Sequence, residues 1–190
     1  HMNFPGSITL ETQTLVKVYK EICLSLLQHG FKKIVIMNGH GGNTNWIGQA
    51  ISELYHETGN RVYSLMIFNS EKGFGADALD IIEQEGGGHA CEMETSFSVS
   101  LGQRVDEKAI TDWSPPRNWT EFTKKYMRKV STARMFDETT EIGNLGDPSK
   151  YSVEKGEKMV KAVVKDIAAF IEDLKKLDLT EDNAYFKKGE

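Results

Sequence analysis

The 190-residue sequence is poor in three features that mark other classes of protein: cysteine, long apolar runs and excess positive charge. Its two cysteines, Cys23 and Cys91, are too few for a disulfide framework, so we expect reduced thiols and a cytoplasmic protein. No run approaches the ~18–20 apolar residues of a membrane helix. The sequence does not open with the charged-then-apolar pattern of a secretory leader, so we do not expect secretion. With 23 basic against 28 acidic residues, the formal net charge is −5, which argues against a nucleic-acid partner.

The first half of the chain alternates between helical and extended patterns. Apolar residues recur every three or four positions across residues 10–27, which predicts an amphipathic helix. Residues 32–37 form a short, β-branched apolar run typical of a strand buried on both faces. A second helix over residues 46–55 and a second strand over residues 61–68 follow. This order predicts an α/β fold with helices covering a parallel sheet.

The second half is less regular. Its clearest element is one long amphipathic helix over residues 153–177, and residues 92–101 form a shorter predicted helix. A short helix is expected over residues 77–84, and a strand or extended segment over 105–110. No repeat or low-complexity linker interrupts the pattern. We therefore expect a single domain over residues 1–177, followed by a polar tail over residues 178–190.

The first candidate site is the sequence Asn-Gly-His-Gly-Gly-Asn at residues 38–43, directly after the first predicted strand. Loops that follow the strands of an open α/β sheet are where ligands bind. Glycines on both sides would let His40 project toward a metal ion or substrate, and imidazole is the commonest metal ligand. The same glycines could cradle a phosphate, although neither common phosphate-binding motif is present. A turn whose histidine only points into solvent is the remaining interpretation.

The second candidate site lies within residues 86–96, where three glycines precede His89 and two carboxylates follow it. On a continuous helix Glu92 would lie about 60° from His89 and Glu94 about 140° away. If the helix begins only near Glu92, the preceding turn can bring His89 and Glu94 together. Imidazole and carboxylate together suit Zn²⁺, Mn²⁺ or Fe²⁺ and can provide a separate proton carrier. For Glu92, a surface position at a helix start is the competing interpretation.

Four motifs in this order resemble the creatininase (creatinine amidohydrolase) family. They are the Asn-Gly-His turn at residues 38–43 and Gly-His-Ala-x-x-x-Glu-Thr-Ser at residues 88–96. Phe-Pro-Gly-Ser at residues 4–7 is similar to the family's Phe-Pro-Gly-Thr segment. Gly-Asp-Pro-Ser at residues 146–149, followed by Glu-Lys-Gly at 154–156, resembles its closing segment. Together the motifs cover about residues 1–175.

The resemblance implies a three-layer α/β/α fold with a mostly parallel sheet and a metal site that hydrolyses C–N bonds in cyclic or small amides. Divalent ions, two per complete site, would be Zn²⁺, Mn²⁺ or Fe²⁺. By the same resemblance, His40 is a metal ligand, Glu94 lies at the metal centre as a ligand or near-ligand, and His89 serves substrate binding and proton transfer. The resemblance also implies a homo-oligomer, a hexamer in relatives.

Two departures from the family pattern modify these expectations. Creatinine-hydrolysing members have a glutamate two residues after the turn histidine, where this chain has Gly42, so we expect a substrate other than creatinine. The family's first strand also provides a Glu-x-His motif and an aspartate ahead of Phe-Pro-Gly, and this sequence contains no Glu-x-His. We therefore expect a sheet without that N-terminal strand, and weak metal binding and low activity in this polypeptide alone.

Two other functions stay open at this point. One is a noncatalytic creatininase-like subunit or binding module with an incomplete metal site. The other is a phosphate- or nucleotide-binding α/β protein, in which residues 39–43 would act as an anion cradle.

Overall fold

The computed structural model describes residues 1–67, 73–84, 88–110, 120–126 and 129–179. The chain divides into two compact units, each of which is described by itself. The first unit comprises His1–Thr9 and Asp77–Lys161, and the second comprises Leu10–Ala76 and Ala162–Glu190. The expected single domain over residues 1–177 stays a prediction, and residues 180–190 of the expected polar tail lie outside the described part.

The described residues contain five α-helices and two β-strands, joined by short 3-10 turns. In chain order they are α1 (Thr12–Gln28), β1 (Ile34–Asn38), α2 (Thr44–Thr58), β2 (Val62–Met66), α3 (Glu92–Ser100), α4 (Glu121–Tyr126) and α5 (Val153–Lys176).

The second unit is built on a parallel pair of strands. β1 and β2 are hydrogen-bonded in register from Ile34 opposite Val62 to Asn38 opposite Met66. Side chains alternate between the two faces of a strand. On one face, Ile34 and Val62 pack with Cys23 of α1 and Leu54 of α2 in one buried cluster.

The opposite face of the same sheet is covered by the C-terminal part of α5. Leu65 of β2 packs against Val163 and Ile167 there, with Val35 of β1 beside them. Helices therefore cover both faces, as the apolar run in β1 predicts, and the second unit is a three-layer α/β/α arrangement. Met37 is the exception in β1, because its side chain is exposed.

In the first unit, α3 and the start of α5 approach each other at Gly156. A Cβ atom on Gly156 would collide with the Ser96 carbonyl oxygen and lie 2.6 Å from Ser100 Cβ. The hydroxyl of Ser96, which is fully buried, also accepts a hydrogen bond from the Ser152 backbone at 3.1 Å. Glycine at position 156 therefore allows the backbones of α3 and α5 to approach closely, and any larger residue would disturb this packing.

We expect Gly156→Ala to lower the free energy of unfolding by about 1–3 kcal/mol, because overpacking outweighs the helix-forming advantage of alanine. The matched control is Gly48→Ala in α2, where a Cβ atom meets nothing within 4 Å. That substitution should stabilise the chain by ~0.5–1 kcal/mol. Urea denaturation followed by circular dichroism measures both changes, and equal signs for the two variants would contradict the packing argument.

Six predicted elements are confirmed with shifted ends: the helices over residues 10–27, 46–55, 92–101 and 153–177, and the strands over residues 32–37 and 61–68. The helix expected over residues 77–84 is a 3-10 turn over Ala76–Ile81. Residues 105–110, expected as a strand or extended segment, form no strand: Asp106 and Ile110 are extended, but Glu107–Ala109 between them is a 3-10 turn. The Asp106 carboxylate begins this turn by accepting a hydrogen bond from the Lys108 backbone. Among the described residues, no helix combines the length and apolar character needed to cross a membrane.

Candidate active site

In the second unit, the turn that carries His40 follows directly from the end of β1. Asn38, the last residue of β1, is buried, and its side-chain oxygen accepts a hydrogen bond from the His40 backbone N–H at 3.1 Å. The Asn38 amide nitrogen donates to Thr44 Oγ1 at 3.3 Å. One side chain therefore connects the strand end, the turn and the start of α2. Asn38 belongs to the Asn-Gly-His motif, but its position in the sequence predicts no role for its side chain.

The His40 side chain is exposed, and its ring lies against Gly42. A Cβ atom on Gly42 would come within 2.8 Å of His40 Cε1, so this ring position requires glycine there. The Ile67 backbone N–H donates to the Asn38 carbonyl at 2.9 Å, which places the turn at the carboxyl edge of the parallel pair. The histidine is thus presented where ligands bind in open α/β sheets.

In the first unit, His89 lies on a tight turn just before α3. Its backbone pairs with Leu145 in both directions: the His89 N–H donates to the Leu145 carbonyl at 3.1 Å, and the Leu145 N–H donates back at 2.6 Å. Ala90 has φ of +46°, a left-handed conformation that costs a non-glycine residue ~1–2 kcal/mol. Such strain is typical of functional turns, where the surrounding structure enforces it.

Helix α3 begins at Glu92, which is the condition under which His89 and Glu94 can share one turn. The exposed Glu94 carboxylate accepts a hydrogen bond from the Ala90 backbone N–H at 2.7 Å. It therefore folds back onto the residue that follows His89. Within the first unit, the Glu94 carboxylate of α3 binds the backbone of the residue next to His89, whereas His40 lies in the second unit.

Glu92 is not the surface residue that the competing interpretation expected. Its side chain is 0% exposed, and its carboxylate accepts hydrogen bonds from the backbone N–H groups of Glu83 at 3.0 Å and Gln84 at 2.7 Å. Lys155 Nζ completes the set at 2.5 Å. The Gln84 side-chain oxygen in turn accepts from the Asp147 backbone at 2.6 Å. Glu92 thus ties the start of α3 to the residues around 83–84 and to α5.

The charges in this network support one another. Burial alone would lower the pKa of Lys155, but its hydrogen bonds to Glu83 and Glu92 outweigh that effect and raise it. The hydrogen bond from Lys155 also lowers the pKa of Glu83. The ammonium group is therefore firmly charged at neutral pH. Sequence reasoning missed this partner, although Lys155 lies within the closing motif at residues 154–156.

Four rings of the first unit form a cluster around the His89 turn, and we call them the aromatic cluster: His1, Phe4, His89 and Phe136. The Phe136 ring centroid lies 4.5 Å from that of His1, 4.6 Å from that of His89 and 5.8 Å from that of Phe4. His1 and Phe136 were not among the candidate residues from the sequence.

The chain has an α/β fold, and the solved structures that are similar to it include creatininases. The chain belongs to the creatininase family: the family's sequence model, described as creatinine amidohydrolase, matches residues 1–171. The chain is 28% identical over 182 residues to the creatinine amidohydrolase of Pseudomonas putida, covering 90% of this chain and 66% of that protein. The chain thus spans just under two thirds of the length of that relative.

Solved structures give the same family. A crystal structure from Bacteroides fragilis NCTC 9343, provisionally assigned as a creatinine amidohydrolase, has a TM-score of 0.79 at 27% identity, covering 94% of this chain and 68% of that one. A glutamate-to-glutamine mutant of creatininase in a Zn-Zn form and a Mn form of creatininase each have a TM-score of 0.72 at 25% identity. Each comparison covers 90% of this chain and 67% of the other.

Proposed function

We propose that this chain is a metal-dependent amidohydrolase that cleaves a C–N bond in a cyclic or small amide other than creatinine. The observation that carries the proposal is the presentation of His40 by a glycine-flanked turn at the carboxyl edge of the sheet, in a chain of the creatininase family. The Zn-Zn and Mn forms of solved creatininases support divalent metal ions as the cofactor.

The residues present fit a divalent ion. The His40 imidazole is exposed, and its backbone is fixed by the Asn38 side chain. By the family resemblance Glu94 provides a carboxylate, and imidazole nitrogen together with carboxylate oxygen suits Zn²⁺ or Mn²⁺. From the family resemblance we assign both residues to metal binding, in a site that holds two ions when complete. When bound, such ions polarise an amide carbonyl and lower the pKa of bound water.

The remaining chemistry falls to His89. From the same resemblance we assign it substrate binding and delivery of a proton to the leaving nitrogen, because an amide nitrogen must be protonated before it departs. Its half-buried position on a strained, doubly hydrogen-bonded turn supports a fixed ring orientation.

The substrate part of the proposal rests on Gly42. Creatinine-hydrolysing members resemble this chain but carry a glutamate at this position. Here any Cβ atom would meet the His40 ring at 2.8 Å, so a glutamate would require a different imidazole position. A site arranged around glycine therefore favours another small amide. By the same resemblance we propose a homo-oligomer with six copies of the chain, and from its two cysteines we propose a cytoplasmic location.

The test is metal-dependent hydrolysis by the 190-residue chain. The chain would be treated with chelator, reloaded with Mn²⁺ or Zn²⁺, and assayed against lactams, cyclic imides and creatinine by mass spectrometry of the ring-opened product. Because low activity is expected of this polypeptide alone, we expect slow hydrolysis of at least one cyclic amide that disappears on chelation and returns with excess metal, while creatinine is not consumed. Hydrolysis of creatinine in preference to the other amides would overturn the substrate assignment.

The noncatalytic alternative makes a different prediction in the same assay. A subunit or binding module with an incomplete metal site would bind Mn²⁺ in isothermal titration but hydrolyse none of the amides. Hydrolysis that survives chelation unchanged would contradict both readings.

A further inference from the structure

The aromatic cluster surrounds the one residue to which the proposed function assigns proton transfer. Phe136 approaches the His89 ring at 4.6 Å between centroids and 69° between ring planes, an edge-to-face contact. This geometry is the preferred one for aromatic pairs and restricts rotation of the smaller ring. His89 therefore has an orienting neighbour other than its own turn.

The cluster is anchored on its far side as well. The Asn3 side-chain amide donates to the Asp137 carboxylate at 2.7 Å, which ties the N-terminal segment to the residue after Phe136. The His1 carbonyl accepts hydrogen bonds from the Phe4 backbone at 3.0 Å and from the Ser7 hydroxyl at 2.9 Å. Phe136 is thus held between the His89 turn and a folded N-terminal segment.

The arrangement leaves the polar edge of His89 beside another imidazole. One ring nitrogen of His1 and one of His89 lie within 4.8 Å of each other, whereas the contact with Phe136 is apolar. A proton carrier must be held within hydrogen-bond reach of the proton that it transfers, and these two neighbours restrict how the His89 ring can turn.

We propose that Phe136 is a positioning residue for His89, and that it sets the orientation of the imidazole with the aid of His1 and Phe4. This inference rests on the proposed role of His89 in proton transfer. Because a proton donor misplaced by about 1 Å can lose 100-fold in rate, a ring that holds the donor affects turnover without touching the substrate.

The first test reads the His89 ring directly and requires no activity. The chain would be labelled with ¹³C-histidine, and the His89 Cε1–Hε1 cross-peak would be assigned with the variant His89→Gln. We expect Phe136→Leu to move this cross-peak toward that of the exposed His29, because the ring current of Phe136 is lost. Phe136→Tyr keeps the ring and should leave the cross-peak close to its original position.

The matched control is Phe122→Leu, which removes a 70% exposed phenylalanine of the same unit that stacks on Tyr126 instead. It should leave the His89 cross-peak unchanged. If Phe136→Leu does not fold, Phe136→Met retains the apolar volume without a ring and takes its place. A His89 cross-peak that stays in position in the folded ringless variant would overturn the proposal.

The second test uses turnover of whichever cyclic amide the metal-loaded chain hydrolyses. Phe136→Leu should lower kcat by about 10- to 100-fold while KM stays within about twofold, and Phe136→Tyr should restore kcat. An equal loss of kcat in Phe122→Leu would show that the effect is general destabilisation, and it would refute the positioning role. If the chain hydrolyses none of the amides, the proposed function fails, whereas the resonance measurement still decides whether Phe136 orients His89.

Discussion

Glu92→Ala is expected to lower the free energy of unfolding by about 2–5 kcal/mol, because it removes the buried acceptor of two backbone N–H groups and the buried partner of Lys155. The Glu92 carboxylate is fully buried and accepts three donors: two backbone N–H groups and Lys155 Nζ. Alanine would leave the two backbone N–H groups without this acceptor, and Lys155 Nζ would keep only Glu83 and the Lys150 carbonyl. The Lys155 side chain is 17% exposed, so water can solvate its charge only in part.

Glu83→Gln is the control for this prediction, since Glu83 binds the same lysine from an exposed position. Lys155 Nζ lies 2.6 Å from Glu83 Oε1, but the Glu83 side chain is 64% exposed. Exposed ion pairs contribute little to stability, so this variant should be close to the parent chain. Urea denaturation of both variants gives the comparison. Similar midpoints for Glu92→Ala and the parent chain would show that the buried network does not hold the first unit together.

The fold of the second unit could be predicted because its signals are local. A helix with one apolar face leaves a period of three to four residues in the sequence, whereas a strand covered on both faces leaves a short continuous apolar run. The elements α1, β1, α2 and β2 follow these patterns. The ends were less well placed, since they depend on individual hydrogen bonds. The 3-10 turn at Glu107–Ala109 shows the same limit: a single bond from the Lys108 N–H to the Asp106 carboxylate replaces the expected extended segment.

The candidate site was predicted in part. The glycines beside His40 indicated a turn that presents the ring, and the close approach of Gly42 to His40 agrees with that reason. The role of Glu92 could not be read from the sequence, because its charged partner is 63 positions away and only the folded chain brings them together. The role of Asn38 could not be predicted for a similar reason: its position in a motif does not reveal which backbone group its side chain binds.

The aromatic cluster shows a further limit. Phe136 lies in an irregular stretch without periodicity, and nothing in its neighbours distinguishes it from any other phenylalanine. Phe136 matters because of its tertiary contacts with His1 and His89. These residues lie 135 and 47 positions before it in the sequence, respectively. Sequence motifs can identify the residues that carry the chemistry, whereas the residues that orient them can be identified only from the structure.

Replacing the two candidate histidines one at a time is expected to separate metal binding from proton transfer. His40→Gln should weaken Mn²⁺ binding at least about 100-fold, because even outer-shell changes cost 10–100-fold and His40 is proposed as a direct ligand. His89→Gln should keep Mn²⁺ affinity within a few fold but lower kcat by about 10²–10⁴-fold, the range typical of general acid–base catalysis. Isothermal titration and turnover of the same cyclic amide measure the two quantities.

The control for both variants is His29→Gln, which changes an exposed histidine at the C-terminal end of α1. Because His29 belongs to neither candidate turn, this variant should retain parent affinity and parent turnover. Reversal of the pattern, with Mn²⁺ binding lost in His89→Gln and kept in His40→Gln, would exchange the two assignments. Loss of both quantities to the same degree in His40→Gln and His89→Gln would instead make both histidines metal ligands, and proton delivery would then have to come from another side chain.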